Sequence, residues 1–275
     1  MVSGLTIVFS VVTLLLSLFF PIVLAVWFCR KYKAPATTVL LGALTFLIFQ
    51  LVLRLPLLQI LQPFYPGKNP DLQGWNLVKY SFFLSFTAAL FEEGGRVLIC
   101  SLFLKSKKNW PHAVALGIGH GGFEAMSLVG LTYISNLVMM ALINLGLLDA
   151  VNDPTGALSQ TVVLLTETPS IMFLLAGIER VLAMILHIGF SVLVVYGLAS
   201  RNYRYVFYAF SAHFILNFPL AFVQGVTGGS YIAIAYVAVM ALLSLYWIIK
   251  ISPALFQGLQ LDEAQLQSDN EDKDR

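Results

Sequence analysis

Residues 91–96, FEEGGR, set two adjacent carboxylates and a guanidinium (Glu92, Glu93 and Arg96) inside an apolar run, with YSFFLSFTAAL before them and VLICSLFL after. Three more segments carry ionisable or amide groups where apolar residues prevail. They are GHGGFEA with His120 and Glu124, ERVLAMILHIGFS with Glu179, Arg180 and His187, and SAHFILN with His213 and Asn217. A buried carboxylate near imidazoles suits hydrolysis: Glu92 can take a proton from water, since burial moves a carboxyl toward the useful range. Imidazole N–H groups and the Asn217 amide can stabilise an oxyanion, and Arg96 can hold the charge of Glu93. The same set can hold zinc, because three histidines (His120, His187, His213), or two with a glutamate, leave the open position of a catalytic metal. There is no HExxH. Among serines and cysteines only Ser191, four residues after His187, stands where it could assist a covalent route.

Spacing and depth decide whether these groups can meet. Glu92/Arg96, His120/Glu124 and His213/Asn217 are i, i+4 pairs, so each helix shows a two-residue polar spot on one side. At 1.5 Å per residue, His120 and Glu124 lie about 14 and 20 Å from Pro111, and His213 and Asn217 the same distances from Arg204. His187 lies about 21 Å from Arg201, and Glu92 and Arg96 about 20 and 14 Å from Lys105. Singly, each has a plainer explanation, such as an interhelical hydrogen bond or a satisfied core histidine. Together they place too many ionisable groups at one depth for packing alone, and a shared hydrated site follows. Glu179 and Arg180 fall about 31–33 Å out, at an interface where an ion pair needs no function. Glycines 94, 95, 117, 119, 121 and 122 flank the charged groups and allow close helix approach.

The elements that must carry these groups are transmembrane helices. Of 275 residues, 59% are hydrophobic and 11% charged, against roughly 25% charged in a soluble domain. A net charge of +2 excludes nucleic acid as a partner and leaves the lipid bilayer as the surroundings. Segments 4–29, 36–62, 75–104, 111–133, 170–200, 205–224 and 231–256 are long enough to cross. The fold class is therefore an all-α polytopic bundle of about seven spans, with eight if 134–148 forms a separate piece. That stretch extends the fourth helix, lies re-entrant, or crosses alone. Basic clusters at Arg30, Lys31 and Lys33, at Lys105, Lys107 and Lys108, at Arg201 and Arg204, and at Lys250 follow alternate spans. Placed in the cytoplasm, they put the N-terminus outside and the C-terminus inside, and a lone crossing by 134–148 would misplace every later cluster. MVSGLTIVFSVV reads as a retained helix rather than a signal peptide. The Pro/Gly-rich QPFYPGKNPDLQGW is expected as a structured turn. Residues 1–256 form one domain, and 257–275, with six acidic and two basic residues, is expected as a disordered cytoplasmic tail. Cys29 and Cys100 fall in apolar segments and are expected as free core thiols.

EEGGR, GHGGFEA, HIGFS and HFILN together resemble the YhfC family of predicted intramembrane proteases, within the CAAX-prenyl-protease and bacteriocin-processing superfamily. The resemblance runs from 91 to 217. It implies an intramembrane endopeptidase in a bacterial plasma membrane, acting on a membrane protein or a lipidated peptide. It also implies Glu92 as general base, Glu93 and Arg96 as its support, and His120, His187, His213 and Asn217 around the water and oxyanion. Arg96 follows Glu93 with two intervening residues rather than three, and Glu124 is additional, so glutamate-type and zinc-dependent mechanisms both stand. Two readings of other classes use the same residues. An ion-coupled carrier would use them as a proton relay, although the halves show no repeat. A non-catalytic scaffold or immunity protein would keep only the fold.

Overall fold

The computed structural model describes residues 1–61, 74–104, 108–148, 153–223 and 227–273, and among these the chain forms helices and no strand. In chain order the helices are α1 (Gly4–Tyr32), α2 (Ala36–Leu61), α3 (Gly74–Ile99, continued by Cys100–Leu104), α4 (Trp110–Asn144), α5 (Ala157–Glu167), α6 (Ser170–Ala199), α7 (Arg204–Val223) and α8 (Gly229–Asp262, running on as helix to Lys273). Six of them, all but α3 and α5, are long and apolar enough to cross a membrane, and the chain is a multi-pass membrane protein. α3 falls outside the six because Lys79, Glu92, Glu93 and Arg96 interrupt its apolar sequence.

Helix boundaries follow local chemistry. Ser3 caps α1 by accepting from Thr6 N at 3.1 Å, and Asn109 caps α4 by accepting from His112 N at 3.1 Å with Pro111 in the first turn. The stretch 134–144 is an extension of α4. α5 occupies part of the connection that the sequence reading leaves without structure. The expected turn at 62–75 lies almost wholly outside the described residues, as do Lys105 and Lys107. At the C-terminus helix continues through Ser252–Lys273. Leu, Gln, Glu and Ala are good helix formers, and elongating an existing helix needs no new nucleus.

α6 is the hub. Of its most apolar stretch 67% is buried inside the protein, against 17–22% for the other five apolar helices, because α1, α4, α7 and α8 all pack on it. α4 is wedged between α2 and α6 by glycine. A Cβ on Gly119 would stand 1.9 Å from Val39 O, one on Gly42 2.0 Å from Leu116 O, and one on Gly117 2.4 Å from Ile188 Cα. Only glycine permits backbones this close, and such contact is how helices associate where lipid removes the hydrophobic drive. On one side of the charged layer Ile99, Leu104, Ala113, Leu116, Val192 and Val195 form a packed apolar core. Cys29 and Cys100 are free, and Cys100 is buried, as expected.

Candidate active site

Four helices bring their polar spots together at the middle of the bundle. Arg96 of α3 is the centre of one half. Its guanidinium is fully buried and donates to Glu93 Oε1 and, at 2.8 Å, to His187 Nδ1 of α6, while its Nη2 lies 3.9 Å from Glu92 Oε2. A guanidinium only donates, so His187 Nδ1 accepts and the proton of the neutral ring sits on Nε2. That nitrogen lies 2.6 Å from Glu124 Oε2 of α4, although this oxygen has no partner along a hydrogen-bond direction. His213 of α7 approaches Glu93 Oε1 through Nδ1 at 2.7 Å and stacks on Phe190 with ring centroids 5.0 Å apart. A carboxylate at Nδ1 fixes that ring's proton there and leaves Nε2 bare.

His120 of α4 supplies the other half. It is fully buried, packs edge-on against Phe46, and places Nε2 3.0 Å from Glu92 Oε2. Its Nδ1 is buried without a hydrogen-bond partner. Glu92, His120, Glu124 and His187 each offer a ligand atom, and these atoms lie within 4.8 Å of one another. Two imidazoles and two carboxylates are a donor set that zinc accepts, and the orphaned Nδ1 of His120 is a group that burial leaves costly unless something binds it. The residues therefore fit a divalent ion. His120 is the readier of the two rings, because His187, with Nδ1 accepting from Arg96, can ligate through Nε2 only by giving up the proton there.

The eight residues expected at the site (Glu92, Glu93, Arg96, His120, Glu124, His187, His213 and Asn217) all lie in this layer. The ligand group differs from the trio His120, His187 and His213. The His120 and His187 rings have centroids 5.0 Å apart and His187 and His213 5.7 Å, but His213 is turned to Glu93, and Glu92 and Glu124 stand where the third histidine is expected. Asn217 lines a cavity of about 330 Å³ together with Glu92, Glu124, His187 and His213. Its position follows from the break in α7 at Phe218–Pro219. Proline has no N–H, so the Ile215 carbonyl loses its helical partner, and the Tyr236 hydroxyl of α8 donates to it at 2.8 Å.

Two further charged residues join the site without having been expected there. Arg180 donates to Glu124 Oε1 at 3.0 Å through Nη1 and also binds Glu179, so it is a partner of the cluster rather than half of an isolated interfacial pair. Arg54 of α2 is buried on the cavity wall, donating to Gln50 Oε1 at 3.1 Å, Leu84 O at 2.8 Å and Thr87 Oγ1 at 3.2 Å. Gln50 and Arg54 sit in Leu47–Arg54, a wide π-helical stretch, and a second such stretch, Ala125–Gly130, follows Glu124 directly. Inserted turns of this kind recur at functional sites because they rotate side chains out of the regular register. The i, i+4 spacing of Gln50 and Arg54 was the available signal.

Comparison with known proteins bears on this geometry. Residues 16–244 match the family model described as YhfC intramembrane metalloprotease. A relative from Bacillus subtilis (strain 168), named "Uncharacterized membrane protein YhfC", is 34% identical over 258 residues, which cover 91% of this chain and 98% of the relative. No solved structure matches the chain.

Proposed function

The chain belongs to the YhfC intramembrane metalloprotease family, and from that premise we propose that it hydrolyses a peptide bond of a membrane-associated protein or lipidated peptide within the bilayer. One observation supports this above the others: the ligand atoms of Glu92, His120, Glu124 and His187 converge within 4.8 Å beside a cavity buried in an apolar bundle. Held by His120, His187 and Glu124, with Glu92 left beside it as the base, a divalent ion such as zinc would supply Lewis acidity and make water acidic enough to deprotonate near neutrality.

The chain's own residues do the rest. Glu92 takes the proton of the attacking water, with its carboxylate aimed by His120 Nε2. Arg180 holds Glu124 Oε1 and leaves Oε2 to the site. Arg96 ties Glu93 to His187, Glu93 orients His213, and the Asn217 amide lines the cavity beside that ring as a donor where an oxyanion would form. The order of the motifs also supports a place in the CAAX-prenyl-protease and bacteriocin-processing superfamily.

In the same reading α3 is a seventh span, since its charges are paired inward. The basic clusters then face the cytoplasm of a plasma membrane, with the N-terminus outside and the tail from 257 inside. Residues 1–256 form the single domain that holds the site. The test has two arms. Elemental analysis should find about one zinc per chain in purified protein, lost in His120→Ala and Glu124→Gln; metal-free protein that cleaves in the presence of chelator would remove the metal from the mechanism. Glu92→Gln, nearly isosteric, should lower cleavage of an identified substrate about 10²–10⁴-fold with the fold intact, and near-normal turnover would refute its role as base.

A further inference from the structure

The cavity is one-sided. On α3 its lining runs from Glu92 back to Ser81, on α6 from His187 back to Glu179, and on α7 from His213 on to Ala221. Among the described residues, none after Glu92 on α3, none after His187 on α6 and none before His213 on α7 lines it. The absent directions all lead to the helix ends that carry basic residues, Lys108 beyond α3 and Arg201 and Arg204 between α6 and α7. Toward those ends the bundle is closed. Cys100, Ala113, Leu116, Val192 and Val195 are each 0% exposed and Leu104 3%, and a core at organic-crystal density has no room for a polypeptide or a column of water.

The opposite direction is open for some distance. Glu92 to Ser81 corresponds to about 16 Å of helix, and His187 to Glu179 to about 12 Å. A second cavity of about 480 Å³ continues the same way. It shares Glu179, Leu220 and Val237 with the first and reaches Thr168 and Ser230, at the starts of α6 and α8. The polar wall of the first cavity, with Gln50, Arg54, Glu179 and Arg180, can hydrate an extended backbone. The mainly apolar wall of the second, with Met172, Leu175 and Ile234, can take the side chains that follow.

The geometry points to a site entered from the extracytoplasmic side and sealed from the cytoplasm, so that the substrate is an extracytoplasmic or outer-leaflet segment of a membrane protein, not a cytoplasmic chain end. This inference rests on the proposed orientation and endopeptidase reading, but its test needs neither turnover nor a known substrate. In a chain with Cys29 and Cys100 replaced by alanine, single cysteines are introduced at Ser85 and, as a second wall position, at Ala221. A third variant, Ser268→Cys, marks the tail, where Ser268 is exposed. Each is exposed to a charged, membrane-impermeant methanethiosulfonate in spheroplasts and in inverted vesicles.

The expected result is labelling of Ser85→Cys and Ala221→Cys in spheroplasts only, and of Ser268→Cys in inverted vesicles only. Wall labelling confined to inverted vesicles, with the tail labelled there too, would overturn the direction of entry and leave the orientation standing. Tail labelling in spheroplasts would overturn the orientation and with it the extracytoplasmic substrate. No wall labelling from either side would show a closed cavity and refute the inference. None of these outcomes touches the endopeptidase reading, which fails separately if Glu92→Gln still cleaves.

Discussion

Replacing Arg96 by methionine, which fills similar volume without charge, should damage the fold more than any other single change at the site. The guanidinium is 0% exposed, donates to Glu93 and His187, and stands 3.9 Å from Glu92. Each hydrogen bond to a charged group contributes about 1.5–3 kcal/mol, and removing one partner of a buried ion pair costs about 3–5 kcal/mol because the other charge stays behind. The second figure governs here, since Glu93 is 2% exposed, does not line the cavity and cannot turn to water. A loss of about 3–5 kcal/mol corresponds to a fall of roughly 6–20 °C in Tm for a chain of this size.

The assay is thermal unfolding in detergent of Arg96→Met, Glu93→Gln and the double variant. If the uncompensated carboxylate causes the loss, Glu93→Gln should restore a measurable part of it in the Arg96→Met background, while the amide oxygen still accepts from His213 Nδ1. Such non-additivity is the mark of groups in contact. Parent-like stability of Arg96→Met, or a double variant less stable than Arg96→Met alone, would refute this account of why the arginine is there.

The other predictions concern the scaffold. Gly119→Ala should destabilise the chain or displace α4 from α2, since its Cβ would meet Val39 O at 1.9 Å, whereas Gly94→Ala meets nothing within 4 Å and should be neutral or gain up to about 1 kcal/mol; thermal unfolding separates them, and equal effects would refute the close-packing argument. Tyr236→Phe removes the donor to Ile215 O and should lower kcat with little change in KM by loosening Asn217, while unchanged kcat would detach Tyr236 from the site. Truncation after Gln257 should leave cleavage in detergent intact, and a collapse of turnover in folded protein would show that the tail completes the site.

The layer of polar groups was legible in the sequence because helical rise is constant. Counting residues from the basic ends places His120, His187, His213 and Glu92 at one depth without any knowledge of packing. Who binds whom was not legible, since it depends on how each helix is rotated against its neighbours. His213 and Glu124 both belong to the polar layer, yet Phe190 and Glu93 turn His213 away from the ligand group and Arg180 turns Glu124 into it. Arg180 was misplaced for a geometric reason. α6 has 30 residues, about 45 Å of helix, against a hydrocarbon core of about 30 Å, so a depth counted from one end of a helix this long misjudges the other end. Gln50 and Arg54 lie inside the segment 36–62, where their i, i+4 spacing was the signal to read. The glycines of GIGHGG announced a close approach, but only the fold assigns Gly119 to α2 and Gly117 to α6.

The charge balance of the cluster explains why its parts belong together. Glu92, Glu93, Glu124 and Glu179 are linked through Arg96 and Arg180, which with neutral histidines is four carboxylates less two guanidiniums, a net charge of −2; Arg54 on the cavity wall reduces it to −1. In a bilayer an uncompensated buried charge is expensive. The remainder is met either by protons on the histidines or by a cation, and a divalent ion meets it without consuming the ring nitrogens as acids. The two arginines also divide the work: Arg96 secures Glu93 and His187, Arg180 secures Glu124 and Glu179, and neither hydrogen-bonds Glu92. Glu92 is thus left bonded to His120 alone among these partners. A carboxylate that must accept a proton from water needs that freedom, because a guanidinium seated on both its oxygens would hold it ionised and occupied. The carboxylate left least encumbered is the one the chemistry requires as a base.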